Sequence, residues 1–219
     1  MSRILFEKAG NGIWISHLDL MRVFQRAFRR AGLPLKHTQG FNPHAFVSIV
    51  LPLPVGTASR CELLDFELDP PETDLAALPD RLNRALPEGI HCLAAYDGGR
   101  KIRELCLLHT GITLEYDAGV PGGAPERIAA LLNGSSVVVE KKSKNGPVET
   151  DIRPMIRSLA VSQPDGNTVV LDAVVCAQNP TLNPMLLPAA VALYLSADTP
   201  SFSSCRRLEV LDDSGQIFR

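Results

Sequence analysis

The segment from Ser16 to Ala31 constrains the fold more than any other part of this sequence. Ser16 is a favoured helix N-cap residue, and Asp19 suits both the cap and the positive end of the helix dipole. Gly32 and Pro34 provide a helix stop. Apolar side chains recur between these signals at helical spacing, at Leu18, Met21, Phe24, Phe28 and Ala31. The pattern predicts an amphipathic helix that buries this apolar face in a core.

Strand-like segments surround this helix and predict the fold of the first half. We expect strands near residues 3–6, 47–51, 62–68 and 90–96, and a second helix near residues 74–86. The resulting order, β-α-β-β-α-β, is that of a ferredoxin-like arrangement. Glycines and charged residues at positions 97–101 then indicate a domain boundary.

The second half has a similar but less regular order of elements. We expect a strand at 105–116 and a helix at 126–132, then a hairpin around Lys144-Asn145-Gly146. Paired strands at 156–161 and 168–177, a helix at 184–196 and a strand at 207–211 complete the chain. We therefore predict an α+β protein of two tandem ferredoxin-like halves with antiparallel sheets, at residues 1–97 and 101–219.

Positive charge is concentrated at the start of a nearly neutral chain. The net charge of all 219 residues is -2, which argues against a molecule that binds polyanions through bulk charge. Residues 1–44, however, have seven basic and two acidic side chains, whereas residues 45–100 have four basic and nine acidic ones. This asymmetry indicates an anionic partner for the first helix.

The predicted helix presents a stripe of arginines opposite its apolar face. Like charges four residues apart destabilise a helix by a few tenths of a kcal/mol, so an external anion would relieve them. Phosphate or an acidic protein surface would do so; alternatively the stripe is a solvated face that is partly paired with Glu or Asp of the second half. The arginine stripe consists of Arg22, Arg26, Arg29 and Arg30.

The loop at residues 39–44 combines glycine, aromatic and basic groups. Its sequence is Gln39, Gly40, Phe41, Asn42, Pro43 and His44. Gly40 allows a close backbone approach, Phe41 can stack on a base, and His44 can transfer a proton. The combination is typical of sites for single-stranded nucleic acid. The alternative is a structural turn with Phe41 in the core.

His17 and His44 are the candidate catalytic residues. Two histidines could supply the acid and the base of a metal-independent ribonuclease. Alternatively His17 simply packs at the capped start of the helix. His37, His91 and His109 have no partner that the sequence identifies.

Other classes of site have no sequence signature here. The five cysteines lack zinc or iron–sulfur spacing, so we expect no metal and no cofactor in this chain. Motifs for phosphate-binding loops, dinucleotides and serine nucleophiles are absent. Scattered thiols and the lack of a long apolar run predict a cytoplasmic protein that does not enter a membrane.

Four motifs follow one another closely in the first part of the chain, at residues 16–22 (SHLDLMR), 31–34 (AGLP), 39–44 (QGFNPH) and 52–56 (PLPVG). In these motifs the chain is similar to the bacterial radical-SAM-linked family, whose members occur alone or fused to a radical-SAM protein. Ala45 departs from that pattern, where a second proline-like residue is expected. The resemblance implies a free-standing partner of a radical-SAM enzyme, which would itself hold an iron–sulfur cluster and S-adenosylmethionine.

Three functions follow as hypotheses. The first is a non-catalytic accessory protein that binds structured or single-stranded RNA for a radical-SAM enzyme, in RNA modification or processing. The second is a metal-independent endoribonuclease that uses His17 and His44. The two ferredoxin-like halves predicted for this chain are similar to the organisation of the CRISPR repeat-processing endoribonucleases. The third is a module that docks on a radical-SAM partner through the basic helix.

Overall fold

The computed structural model describes residues 1–71, 74–143 and 146–219. The chain divides into two compact units. Unit 1 comprises residues 1–102 together with Arg219, and unit 2 comprises residues 103–218. The boundary predicted from the sequence lies a few residues earlier, at 97–101.

Unit 1 has the element order predicted for it. The strands are β1 (Ser2–Lys8), β2 (Val47–Ile49), β3 (Ala58–Phe66) and β4 (Ile90–Asp97), and the helices are α1 (His17–Arg30) and α2 (Leu78–Asn83). β1 pairs with both β3 and β4, and β2 pairs with β3; every pairing is antiparallel. Short 3₁₀ turns precede the helices, at Gly10–Trp14 and Leu75–Ala77.

Unit 2 contains four paired strands and a separate hairpin. Its strands are β5 (Leu107–Glu115), β6 (Val138–Ser143), β7 (Gly146–Asp151), β8 (Ile156–Asp165), β9 (Thr168–Cys176) and β10 (Phe202–Leu211). Its helices are α3 (Ala124–Leu132) and α4 (Leu186–Tyr194). β5 lies between β10 and β9, and β9 pairs with β8, all antiparallel. β6 pairs with β7, and the predicted turn residues Lys144 and Asn145 lie outside the described residues.

The predicted α+β class and antiparallel pairing are thus confirmed. The described part of the chain contains four α-helices and antiparallel strand pairs in both units. None of the described helices is long and apolar enough to cross a membrane.

The helix α1 packs its apolar face against the sheet of unit 1 through paired aromatic rings. The centroids of the Phe6 and Phe24 rings lie 4.8 Å apart, and those of Phe28 and Phe66 lie 5.1 Å apart. All four rings are buried. Such contacts, together with burial of the rings, dominate the energy of a core of this size.

One predicted core position of α1 is wrong. Leu18 is 67% exposed, whereas Leu20 is only 3% exposed. Leu20 precedes the buried Phe24 by four residues, which places both on one face of a helix. Leu18 precedes Phe24 by six residues, so it lies on a different face.

The start of α1 follows its sequence signals. The Ser16 hydroxyl oxygen accepts a hydrogen bond from the Asp19 N–H at 3.2 Å. The helix thus begins at His17 with the predicted cap.

The end of α1 forms a Schellman motif. The Leu33 N–H donates to the Phe28 carbonyl at 2.9 Å, and the Gly32 N–H donates to the Arg29 carbonyl at 3.2 Å. Gly32 has a φ of 67°, a left-handed conformation that favours glycine. This turn sends the chain back beside α1 and so positions the segment that forms the candidate site.

Candidate nucleic-acid interface

The 39–43 loop is closed at its base by hydrogen bonds from backbone N–H groups. The Thr38 N–H donates to the His44 carbonyl at 2.8 Å, and the His44 N–H donates to the Thr38 hydroxyl oxygen at 2.9 Å. One step further out, the Phe46 N–H donates to the Lys36 carbonyl at 2.8 Å. These bonds bring residues 36–38 alongside residues 44–46, with a β-bridge between His37 and Ala45.

The tip of this loop lies in solvent. Gln39, Gly40, Phe41 and Asn42 are all exposed, and the Phe41 ring is exposed completely. Gly40 has a φ of 130°, which a side chain would disfavour. The alternative interpretation, with Phe41 in the core, is therefore wrong, and the ring is available for stacking.

Among the described residues, the arginine stripe is neutralised only at its N-terminal end. Asp19 pairs with Arg22, with 2.9 Å between Oδ1 and Nη1, and it also accepts a hydrogen bond from the Ser16 hydroxyl. The bond from Ser16 and then that from Arg22 lower the pKa of the Asp19 carboxyl. Asp19 therefore stays ionised and cancels one arginine of the four.

The other three arginines have no counter-charge at contact distance in the part of the chain that the structure describes. Arg26, Arg29 and Arg30 are exposed, and across residues 1–71, 74–143 and 146–219 none of them forms an ion pair. Repulsion within the stripe remains for an external anion to relieve.

A cavity of about 780 Å³ lies between the end of α1 and the base of the loop. Gln25 and Arg29 line it from the helix, while His37 and His44 line it from the two sides of the loop base. Apolar side chains form the remaining walls. These are Leu33, Pro34, Leu35, Pro43 and Ala45.

Most of the polar side-chain groups that line the cavity have no hydrogen-bond partner within the described chain. Across the described residues the side chains of Gln25, Arg29 and His44 make no hydrogen bond to the protein. His37 Nδ1 lies 2.8 Å from the Leu35 carbonyl oxygen. Since a carbonyl only accepts, Nδ1 must hold the proton, which leaves Nε2 unbonded by this contact.

The cavity unites some of the predicted site residues and not others. Arg29 and His44 line it together, whereas Arg22, Arg26 and Arg30 continue the stripe outside it. His17 begins α1 and precedes Arg29 by twelve residues, which is roughly 18 Å along a helix at about 1.5 Å per residue. The structure therefore does not bring His17 to the cavity that His44 lines.

Sequence reasoning missed Gln25 and His37. Gln25 was overlooked because it is neutral and lies between two arginines of the stripe. His37 lies next to Ala45 through a β-bridge. Residues 36–38 pair with residues 44–46 as a short hairpin. A hairpin predicted over residues 35–46 would have placed His37 and His44 close together.

A histidine–aspartate pair in unit 2 was also missed. His109 Nε2 lies 2.9 and 3.1 Å from the two carboxylate oxygens of Asp172. The register of β5 with β9, which pairs Gly111 with Asp172, creates this contact between residues 63 positions apart. No local sequence signal predicts it.

Comparison with known proteins identifies a family. Residues 2–184 match the model of the family described as "Uncharacterized protein conserved in bacteria (DUF2344)", and the chain belongs to that family. No curated protein matches the sequence.

Solved structures show a related fold. A chain of a Cbf5-Nop10-Gar1 complex superposes with a TM-score of 0.52 at 11% identity, over 95% of this chain and 48% of that one. This chain thus spans about half the length of that relative, and at this identity the likeness concerns the fold alone. An unknown protein from Galdieria sulphuraria matches at 11% identity over 93% of this chain and 95% of that one. Its TM-score of 0.25 is too low to support a conclusion about the fold.

Proposed function

We propose that this member of the DUF2344 family is an RNA-binding accessory protein. The observation that carries the proposal is the row of Arg26, Arg29 and Arg30, exposed and without ion pairs in the described chain, beside a loop with an exposed Phe41. Arginines at this spacing suit successive phosphates, and an exposed ring suits an unpaired base. Phosphate binding by side chains supplies most of the affinity of such proteins and does not require a positive net charge on the whole molecule.

The fold proposed for this function is a pair of ferredoxin-like units. In unit 1 the first strand lies between the third and fourth, and the second pairs with the third. In unit 2 the strands β5, β8, β9 and β10 repeat that order if the β6–β7 hairpin is treated as an insertion. The same order in both units supports the proposal.

A charge reversal in the stripe tests the RNA proposal. Binding of the purified protein to total cellular RNA would be measured across a salt series, for the wild type and for Arg26→Glu/Arg30→Glu. If both arginines contact phosphates of a single strand, the slope of log affinity against log salt flattens by about 1.4. Affinity at low salt falls in parallel.

The control variant changes the net charge by the same amount at two arginines outside the stripe. Arg84 and Arg103 are exposed and lie outside the stripe. Arg84→Glu/Arg103→Glu alters the net charge by the same amount and should leave the slope unchanged. Equal losses in the two double variants would mean bulk electrostatics and would contradict a specific phosphate-binding stripe.

We further propose a radical-SAM enzyme as the protein partner. The four motifs of residues 16–56 support this, because they resemble the radical-SAM-linked family. The partner would supply the iron–sulfur cluster and S-adenosylmethionine, and this chain would present the RNA. Co-purification of the two proteins after nuclease treatment tests the partnership; its loss on nuclease treatment would mean that RNA alone joins them.

A second candidate function is metal-independent RNA cleavage. The observation that favours it is that His37 and His44 line one cavity with Arg29, a cation that could stabilise the charged transition state. In EDTA, His37→Ala and His44→Ala should abolish cleavage of total RNA while His17→Ala retains it. RNA that stays intact with the wild type would exclude this candidate.

A further inference from the structure

We infer that the cavity at the base of the loop binds one nucleotide of a single-stranded RNA, with its phosphate at Arg29, His37 and His44 and its base against Pro34 and Pro43. The inference rests on the proposed RNA binding and identifies what the cavity contributes to it. The arginine stripe would hold the backbone of the strand, and the cavity would receive one nucleotide turned out of it.

The charge of the cavity favours an anion. Among the ten residues that line it, all of them in the described chain, none is acidic. Arg29 is permanently charged and can donate two parallel hydrogen bonds to a phosphate. The His44 ring has no hydrogen bond within the described chain and can turn an N–H toward a ligand. Because His37 Nδ1 donates to the Leu35 carbonyl, His37 Nε2 is an acceptor in the neutral ring and donates only in the imidazolium form. Arg29 and His44 thus offer donors of the kind that bind phosphate, and His37 adds one when its ring is charged.

The walls of the cavity favour a base over phosphate alone. Pro34, Leu35 and Pro43 present apolar surfaces. The faces of a nucleobase pack on such surfaces, whereas a hydrated phosphate gains nothing from them. The Gln25 amide offers both a donor and an acceptor, which suits the polar edge of a base. A volume of about 780 Å³ is within the range of small-molecule sites.

The cavity is held in shape before any ligand binds. The Schellman motif positions Leu33 under α1, and the Thr38–His44 hydrogen bonds join the two sides of the loop base. The Lys36 ammonium also pairs with Glu67 at 2.8 Å, which ties the segment to the end of β3. Binding therefore orders few groups, and the entropy cost of association is reduced.

Mononucleotide titration tests this inference. The full chain, with ¹³C-labelled histidine, would be titrated with UMP, CMP, AMP and GMP, and in parallel with uridine and inorganic phosphate. We expect the ring resonances of His37 and His44 to shift with at least one nucleotide. Uridine and inorganic phosphate should bind at least tenfold more weakly, since each occupies only one part of the cavity.

A cavity-filling variant supplies the structural control. Ala45→Trp places a large ring in the cavity at a partly buried position and should weaken nucleotide binding at least tenfold. Leu193→Trp adds the same ring at an exposed position of α4 and should leave nucleotide binding unchanged. A circular dichroism spectrum and melting curve like those of the wild type would show that Ala45→Trp is folded. Arg29→Gln, which preserves size, should reduce the affinity without filling the cavity.

The outcomes separate this inference from the proposed function. If inorganic phosphate binds as tightly as the nucleotides, the base is not recognised and the inference fails. If no nucleotide shifts the two histidines although total RNA binds with the stripe-dependent salt slope, the inference fails and the proposed function stands. If nucleotides bind and Ala45→Trp blocks them while total RNA shows no stripe-dependent affinity, the proposed function fails, and the inference fails with it because the cavity is then a site for free nucleotides and not for a nucleotide of RNA.

Discussion

Lys8 is a charged side chain in the interior of unit 1. It is 1% exposed, and its Nζ donates to the Ile15 carbonyl at 2.8 Å and to the Ile13 carbonyl at 3.2 Å. Burial lowers the pKa of this ammonium, and the charge of Glu62 opposes that shift. Lys8 thereby joins the end of β1 to the turn that leads into α1.

Lys8→Met should destabilise the protein by about 2 kcal/mol, because two buried carbonyl groups lose their donor. Urea unfolding at neutral pH would measure the change. Lys101→Met, at an exposed position, is the control and should have an effect within about 0.5 kcal/mol of zero. Equal effects of the two substitutions would contradict a structural role for Lys8.

The lowered pKa of Lys8 also predicts a dependence on pH. Unfolded Lys8 binds its proton more tightly than folded Lys8, so the Lys8 contribution to unfolding free energy rises with pH. The rise begins at the lowered pKa of the folded state and ends at the ordinary value of 10.5. The wild type should therefore gain stability relative to Lys8→Met on going from neutral to alkaline pH. A constant difference between the two across that range would contradict the shift.

At the scale of elements, the C-terminus of α1 determines how the candidate site is built. Gly32 reverses the chain in a left-handed conformation, and a Cβ there would meet no atom within 4 Å. The cost of another residue at this position is therefore backbone strain and not a clash. The residues that follow Gly32 form the floor of the cavity.

Gly32→Ala should destabilise the protein by about 1 kcal/mol, whereas Gly32→Asn should cost less because asparagine tolerates the left-handed region. Chemical denaturation of the three proteins would give the order wild type, Asn, Ala. The Ala variant should also bind mononucleotides more weakly, since the turn that positions Leu33 and Pro34 is strained. Equal stability of the Ala and Asn variants would show that the left-handed conformation of Gly32 does not cause the loss of stability.

At the scale of the whole molecule, each unit contains a buried carboxylate paired with an arginine. In unit 1 the Arg3 guanidinium binds Asp65 between β1 and β3, with Nε 2.6 Å from Oδ1. In unit 2 Arg127 on α3 binds Asp198, which is 1% exposed, with Nη2 2.6 Å from Oδ1. Removing one partner of such a pair leaves a buried charge without compensation.

Arg3→Met and Arg127→Met should each destabilise the protein by about 3 kcal/mol. Hydrogen exchange followed by mass spectrometry would locate the effect. Arg3→Met should lower protection most within residues 1–102, and Arg127→Met most within residues 103–218. The double variant Arg3→Met/Asp65→Leu should regain part of the loss. Identical exchange patterns in the two single variants would contradict the division into two units.

The predictions from sequence succeeded where local rules apply. The start and end of α1, the order of elements in unit 1 and the exposed arginine stripe all follow from caps, periodicity and charge spacing. The predicted burial of Leu18 was wrong because helical spacing does not specify which face of the helix meets the sheet. RNA binding, the radical-SAM partner and the ferredoxin-like assignment of both units stay predictions.

Capping, periodicity and glycine conformation act within a few residues, so the local sequence specifies where α1 begins and ends and the order of elements in unit 1. Contacts between distant side chains depend instead on how the folded chain pairs its segments. Hydrogen bonds between residues 36–38 and 44–46 placed His37 and His44 at one cavity, and the length of α1 kept His17 away from it. The register of β5 and β9 brought His109 to Asp172. Such contacts depend on pairings between distant segments, which local residue preferences do not encode.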